Sequence, residues 1–161
     1  MAQVFIGIGS SINKQANIKK GVALLQSHFG AIKLSSVFES EAVGFTGGNF
    51  YNLVAELNCA SSVELLIRTL KNIEVELGRP EKAIKYAPRT LDLDILLYGD
   101  LVDTKLNIPR SEIIENAFVL QPLAELAPKI VHPVLNQSYQ VLWEQYPANK
   151  QELWKIEMSF N

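Results

Sequence analysis

The chain has 161 residues, 48% of them hydrophobic, with 15 Lys and Arg against 17 Asp and Glu. That length favours one domain around one ordinary core, and a formal net charge of -2 argues against a nucleic-acid binder, which needs a broad basic surface. A single cysteine, Cys59, rules out an internal disulfide; no apolar run approaches the roughly 20 residues that cross a bilayer, and no N-terminal signal pattern is visible, so a cytoplasmic protein without a membrane partner is expected; separately, a monomer is expected, although nothing in the sequence fixes the oligomeric state.

In chain order, residues 3–8 (QVFIGI) read as a short apolar strand, with Gly7-Ile8-Gly9-Ser10-Ser11 as a tight turn at its end. Ile18, Val22, Leu25 and Phe29 keep helical spacing; Gly30 ends that helix and His28 sits at its dipole end. Residues 32–40 read as a strand and 41–49, with Gly44, Gly47 and Gly48, as a flexible loop. In the strand 50–57, Tyr51, Leu53, Ala55 and Leu57 alternate onto a core face. Ser61 and Glu64 have the spacing of a capping box. The helix they head carries the apolar stripe Val63, Leu66, Ile67, Leu70, Ile73 and Leu77, and Gly78 and Pro80 stop it. A loop with Arg79, Lys82, Lys85 and Arg89 leads into a strand over 91–98. Residues 117–126 and 139–146 read as short helices, and 153–158 as a final strand. The order strand, helix, strand, strand, helix, strand is that of a ferredoxin-like α+β sandwich with C-terminal additions. Two long helices cover one sheet face; the other is left for a site or for those additions.

Chemistry concentrates on the strand 91–98. Leu91, Leu93, Ile95 and Leu97 point into a core, so Asp92 and Asp94 point together to the opposite face, roughly 7 Å apart along the backbone. Two acids that close repel unless a cation lies between them, and Mg²⁺ prefers such oxygens together with substrate phosphates. An isolated Asp-x-Asp is more often a solvated strand face. Here Pro88-Arg89 stands just upstream, and a guanidinium forks onto phosphate oxygens. Glu74 falls on the apolar stripe of its helix, where a carboxylate needs a partner: either a neighbouring cation or a ligand over the sheet. Phe50 and Asn52 fall opposite the core face of their strand, an aromatic and an amide suited to stack on a flat heterocycle and read its edge, although a loop-covered surface pair is the commoner arrangement. Cys59 reads as a small buried hydrophobe. His28 and His132 lack partners at metal-ligand spacing, so zinc is not expected.

The stretches Leu77-Gly78-Arg79 and Tyr86-Ala87-Pro88-Arg89-Thr90-Leu91-Asp92-Leu93-Asp94-Ile95-Leu96-Leu97-Tyr98-Gly99 closely resemble the signature of the 6-hydroxymethyl-7,8-dihydropterin pyrophosphokinase (HPPK) family. So do Gly7-Ile8-Gly9-Ser10, Asn49-Phe50-Tyr51-Asn52, Ile73-Glu74, Phe118-Val119-Leu120 and Glu125-Leu126-Ala127-Pro128. The resemblance implies the ferredoxin-like fold and transfer of pyrophosphate from ATP to the pterin alcohol, in folate biosynthesis. It implies two Mg²⁺ ions on Asp92 and Asp94, with Arg79 and Arg89 as catalytic cations. Ser40 and Val43, with the backbone between them, and Phe50, Asn52, Tyr86 and Phe118 would hold the pterin. Lys71, Glu74, Arg89, Lys105 and Arg110 would serve ATP, and the loops 44–49 and 79–89 would close over both substrates.

The chain departs from the family pattern at Ser11, Glu81, Arg110 and Asn116, where an asparagine, a basic residue, a histidine and an arginine are usual. These positions mostly serve ATP and loop closure. They leave a second reading open: a catalytically weakened paralogue that binds a pterin or nucleotide in a regulatory role.

Overall fold

The computed structural model describes residues 1–41, 49–78, 90–147 and 151–160. Its elements are β1 (Ala2–Ser10), α1 (Lys14–Phe29), β2 (Lys33–Leu34), β3 (Val37–Ser40), β4 (Phe50–Cys59), α2 (Val63–Glu76), β5 (Asp92–Tyr98), α3 (Glu112–Glu115), α4 (Ala117–Leu126), α5 (Tyr139–Gln145) and β6 (Leu153–Ile156). The strands form one sheet in the order β5-β1-β4-β3-β6, with β2 also pairing β4, and its ladders are antiparallel. Without β6, this is the fourth-first-third-second arrangement of the ferredoxin-like sandwich, as the order of elements predicts.

Each sheet face has its own apolar cluster. Val4, Ile6 and Ile8 of β1, Leu53, Ala55 and Leu57 of β4, and Leu93 and Ile95 of β5 pack under α1 and α2 against Ile18, Val22, Leu25, Leu66, Leu70 and Ile73. On the far face, Phe5, Val54, Leu96 and Leu97 meet Leu120, Leu123 and Ala124 of α4 and Tyr139 of α5. The C-terminal helices thus cover part of the second face, and the remainder stays open.

Period-two and helical spacing place most elements, and pairing between strands corrects the rest. Strand alternation predicts Leu97 beside Leu93 and Ile95, but Leu97 packs in the second cluster. The register between β1 and β5 slips between Phe5 and Ile6, so that Phe5 faces Leu97 while Ile6 faces Ile95. Leu96 is the extra residue of this bulge, and one extra residue exchanges the faces of those that follow. The predicted strand 32–40 is likewise two pieces. Between them the Ser35 N–H still donates to the Val54 carbonyl at 2.9 Å, but the Ser35 hydroxyl accepts from the Val54 N–H at 2.9 Å and the Ser36 N–H donates to Glu125 Oε1 at 2.6 Å, so side chains take over part of the ladder at the break.

At α2 the N-cap is Ser62, not Ser61: Ser62 Oγ accepts from the Leu65 N–H at 3.2 Å, which puts Glu64 out of step for a capping box. Ser61 is engaged elsewhere, its hydroxyl 3.1 Å from Cys59 Sγ. Cys59 itself is buried in the main cluster, as its apolar strand predicts. Gly7-Ile8-Gly9-Ser10 is not a turn, because β1 runs extended through all four residues. Residues 117–126 form the predicted helix.

Candidate active site

The open part of the second sheet face is the floor of a cleft of about 750 Å³. Neighbouring strands bring its floor residues into rows. Gly9 of β1 pairs with Asn52 on β4 and with Asp92 on β5, and Gly7 pairs with Val54 and Asp94. Directly paired residues point to the same face, so Asn52, Gly9 and Asp92 form one row across three strands. With strands about 4.8 Å apart, the amide and the acid stand about 10 Å from each other over a glycine. A Cβ built on Gly9 would lie 2.7 Å from Asn52 Oδ1, and one on Gly7 would lie 3.3 Å from Leu96 Cδ2. The missing side chains therefore make the floor of the cleft.

Its ends differ in chemistry. Toward β3 and the start of α4 it is lined by Ser40, Phe50, Asn52 and Phe118, two rings with a hydroxyl and an amide. Toward β5 and α2 it is lined by six charged residues, Lys71, Glu74, Asp92, Asp94, Arg110 and Glu112. Arg110 Nη2 stands 3.4 Å from Asp94 Oδ1 and 3.0 Å from Glu112 Oε1, and its Nε donates to the same Glu112 oxygen at 3.1 Å. A cation thus already sits against one of the paired acids. The Asp94 side chain keeps 40% of its surface open to solvent, so the pair faces the cleft rather than the core.

Glu74 resolves the oddity of a carboxylate on an apolar stripe. It is buried, and its Oε2 accepts from the backbone N–H of Leu93 at 2.7 Å. Among the described residues β5 is the end strand of the sheet, so that N–H has no described strand partner on its outer side. The carboxylate satisfies it and pins α2 to the residue between Asp92 and Asp94.

The fold family follows from comparison with known proteins. The model of the family described as 7,8-dihydro-6-hydroxymethylpterin-pyrophosphokinase (HPPK) matches residues 5–128. The chain belongs to the HPPK family. Among its relatives, the 2-amino-4-hydroxy-6-hydroxymethyldihydropteridine pyrophosphokinase of Aquifex aeolicus is 36% identical over 138 residues, covering 83% of this chain and 86% of the relative. The Bacillus subtilis protein of the same description is 33% identical over 132 residues, 78% of each chain. Among solved structures, the Plasmodium falciparum HPPK-DHPS superposes with a TM-score of 0.69 over 91% of this chain at 13% identity. That likeness concerns the fold; this chain spans 44% of that longer one.

Of the residues the HPPK resemblance points to, Ser40, Phe50, Asn52, Phe118, Lys71, Glu74, Asp92, Asp94 and Arg110 line this one cleft. Lys105 does not line it: it is exposed in the turn before Leu106, which does. Val43, Arg79, Glu81, Tyr86 and Arg89 lie outside the described residues. Asn116 is the N-cap residue of α4 and is held by Gln151 Nε2, which donates to its Oδ1 at 3.0 Å. Reading residue by residue misses Gly7, Gly9 and Glu112. The available signal for the glycines was their i, i+2 spacing in an extended run, which puts both on one face; Glu112 shows none beyond its closeness to Arg110 in sequence.

Away from the cleft, the exposed Glu125 and the buried His132 are tuned by their surroundings. Burial pushes the Glu125 carboxyl up, but the Ser36 N–H and the Lys155 ammonium, 3.1 Å away, outweigh it and hold the group below the usual range. Burial holds His132 below the ordinary imidazole value, and its Nδ1 accepts from the N–H groups of Val134 and Leu135 at 3.1 Å each.

Proposed function

We propose that the cleft binds ATP and 6-hydroxymethyl-7,8-dihydropterin side by side and catalyses pyrophosphoryl transfer between them, giving AMP and the pterin pyrophosphate. One observation carries this reading: Phe50 and Asn52 on β4 and the paired acids Asp92 and Asp94 on β5 share one sheet face, separated by the side-chain-free strip of Gly7 and Gly9. A flat heterocycle at Asn52 and a polyphosphate at Asp92 are then within reach of each other.

The pterin ring lies between Phe50 and Phe118, with Asn52 hydrogen-bonding its edge and Ser40 closing the pocket. ATP lies toward α2 and β5, near Lys71 and Arg110. The hydroxymethyl oxygen attacks the β-phosphorus. The bond from that phosphorus to the oxygen bridging to the α-phosphate breaks, its electron pair leaves with AMP, and the hydroxyl proton passes to solvent. Placing two substrates in contact removes much of the entropic barrier. The remaining demand is neutralisation of phosphate charge, which suits a loose transition state needing little from a general base.

Asp92 and Asp94 are the residues that would hold Mg²⁺. Two carboxylates facing a cleft, with room for phosphate oxygens, fit an ion that binds few protein groups and completes its shell with phosphate and water. Arg110 beside Asp94 marks the place as one where positive charge is favoured. Bound there, Mg²⁺ would supply charge neutralisation on the phosphates; two ions are expected. Glu74 holds the strand between the two acids, and its carboxylate is committed to the Leu93 N–H.

No described helix is long and apolar enough to cross a membrane, and the chain is proposed to act as a single-domain monomer in the cytoplasm. The test is AMP release in the presence of ATP, hydroxymethyl-dihydropterin and Mg²⁺. AMP formed in step with pterin pyrophosphate is the expected result. Pterin binding without AMP would instead support the regulatory paralogue, which the attachments of Arg110 and Asn116 to protein groups favour.

A further inference from the structure

We infer that the segment 151–156 is a strap that positions the ring-lined half of the cleft, with Gln151 as its principal positioning residue. The inference rests on the reading of that half as a pterin pocket. The strap lies beyond residues 5–128, which carry the family match.

It reaches three cleft-lining residues, one by direct strand pairing and two through their near neighbours. At α4 the N-cap residue, Asn116, makes no side-chain cap of its own. The first helical N–H, that of Ala117, donates instead to Gln151 Oε1 at 2.8 Å, and Gln151 Nε2 donates to Asn116 Oδ1 at 3.0 Å. An amide is needed for both bonds, because the Ala117 N–H only donates and the Asn116 carbonyl only accepts. The next residue is Phe118. At β3, Leu153 pairs with Ser40. At the start of β4, Trp154 Nε1 donates to Glu39 Oε1 at 3.1 Å, and the other oxygen of that carboxylate accepts from Asn49 Nδ2 at 3.2 Å, one residue before Phe50. Ser40, Phe50 and Phe118 all line the ring end of the cleft. Lys155 then anchors the strap from behind, 3.1 Å from Glu125 on α4.

The strap therefore sets the gap between Phe118 and the β3–β4 edge, the gap into which a flat ring must fit, while the acid end on β5 is built by other elements. Loosening it should weaken pterin binding selectively. The experiment compares Gln151→Ala, Gln151→Glu and Trp154→Phe with wild type in the full chain. It reads KM for each substrate, kcat, thermal midpoint, and pterin binding by calorimetry with and without a non-hydrolysable ATP analogue. Gln151→Ala loses both hydrogen bonds and should raise the pterin Kd and KM about five- to tenfold, with the ATP KM within about twofold. Gln151→Glu keeps the acceptor for Ala117 but loses the donor to Asn116, and should fall between. Trp154→Phe keeps an aromatic ring, though a smaller one, and loses the N–H, and should shift the pterin constants in the same direction by less. Should Gln151→Ala fail to fold, the other two variants decide. Equal rises in both substrates' KM, or unchanged pterin binding in every variant that folds, would overturn the strap. A wild type that neither binds pterin nor releases AMP would overturn the pterin reading itself, a separate outcome.

Discussion

Gly9→Ala separates the fold from the site. A Cβ at this position lies 2.7 Å from Asn52 Oδ1, with the next contacts, Asn52 Cγ and the Tyr51 carbonyl oxygen, at 3.8 Å. The clash thus falls on the end of one side chain, which can rotate away while the backbone of β4 stays in place. Gly9 lies in an extended strand, where alanine is favoured over glycine by roughly 0.5–1 kcal/mol. Stability should therefore change little or rise slightly. The displaced Asn52 amide can no longer meet the edge of a ring stacked beside Phe50. Two lost hydrogen bonds at roughly 0.5–1.5 kcal/mol each give about 1–3 kcal/mol, or about 5- to 150-fold in the pterin KM. The ATP KM should stay near wild type, because Lys71 and Arg110 are untouched. Gly7→Ala also fills the floor but leaves Asn52 in place, its Cβ meeting only the flexible tip of Leu96 at 3.3 Å, so it should raise the pterin KM less than Gly9→Ala does. Steady-state kinetics with each substrate varied, together with a thermal melt, measures both halves. A Gly9→Ala protein with wild-type pterin KM would refute the row of Asn52, Gly9 and Asp92 as the pterin-to-phosphate floor. A large drop in the melting midpoint would refute the claim that the clash is confined to one side chain.

Asp92→Asn and Asp94→Asn should each remove most Mg²⁺-dependent AMP formation while leaving circular dichroism unchanged, since both acids face the cleft and their mutual repulsion is relieved; near-normal turnover at ordinary Mg²⁺ by either would exclude the paired-acid site. Glu74→Ala leaves the buried Leu93 N–H without its acceptor and should cost about 1–3 kcal/mol in denaturant melts. Glu74→Gln retains an acceptor oxygen and should cost clearly less; equal losses would mean that the hydrogen bond at 2.7 Å is not what the site requires. His132 is held neutral by burial, with its folded pKa below the ordinary 6.5. The unfolded chain therefore binds the proton first, and stability from this residue is present above about pH 6.5 and is lost as pH falls through the folded value. His132→Asn, whose Oδ1 can take the place of Nδ1, should flatten that part of a melting-temperature–pH profile; an unchanged slope would assign it to other groups. Asn116→Arg restores the cation usual at this position in the family but removes the acceptor for Gln151 Nε2. It should improve kcat/KM for ATP while weakening pterin binding, and a variant improved for both substrates would show that the Gln151 contact is dispensable.

Local periodicity determined much of this protein before any packing was known. Strand alternation alone puts Asp92 with Asp94, and Phe50 with Asn52, away from the core, because successive side chains on a strand must point to opposite faces. The stripe from Val63 to Leu77 marks α2, and it also marks Glu74 as a carboxylate in need of a partner. Residues 117–126 form the helix their composition predicts.

Tertiary structure decided what depends on a neighbour far away in the chain. Leu97 changes faces because β1 slips register against β5, and no alternation within β5 encodes a bulge that pairing creates. One partner of Glu74 is a backbone N–H, a group every residue but proline carries and no sequence motif announces. Gly7 and Gly9 matter for what stands on either side of them, Asn52 on one strand and the acids on another, so their role exists only once three strands align. Gln151 meets Ala117 across 34 residues of chain. A hydrogen bond between such distant groups leaves no spacing to read, because the fold, and not the local backbone period, brings its two ends together.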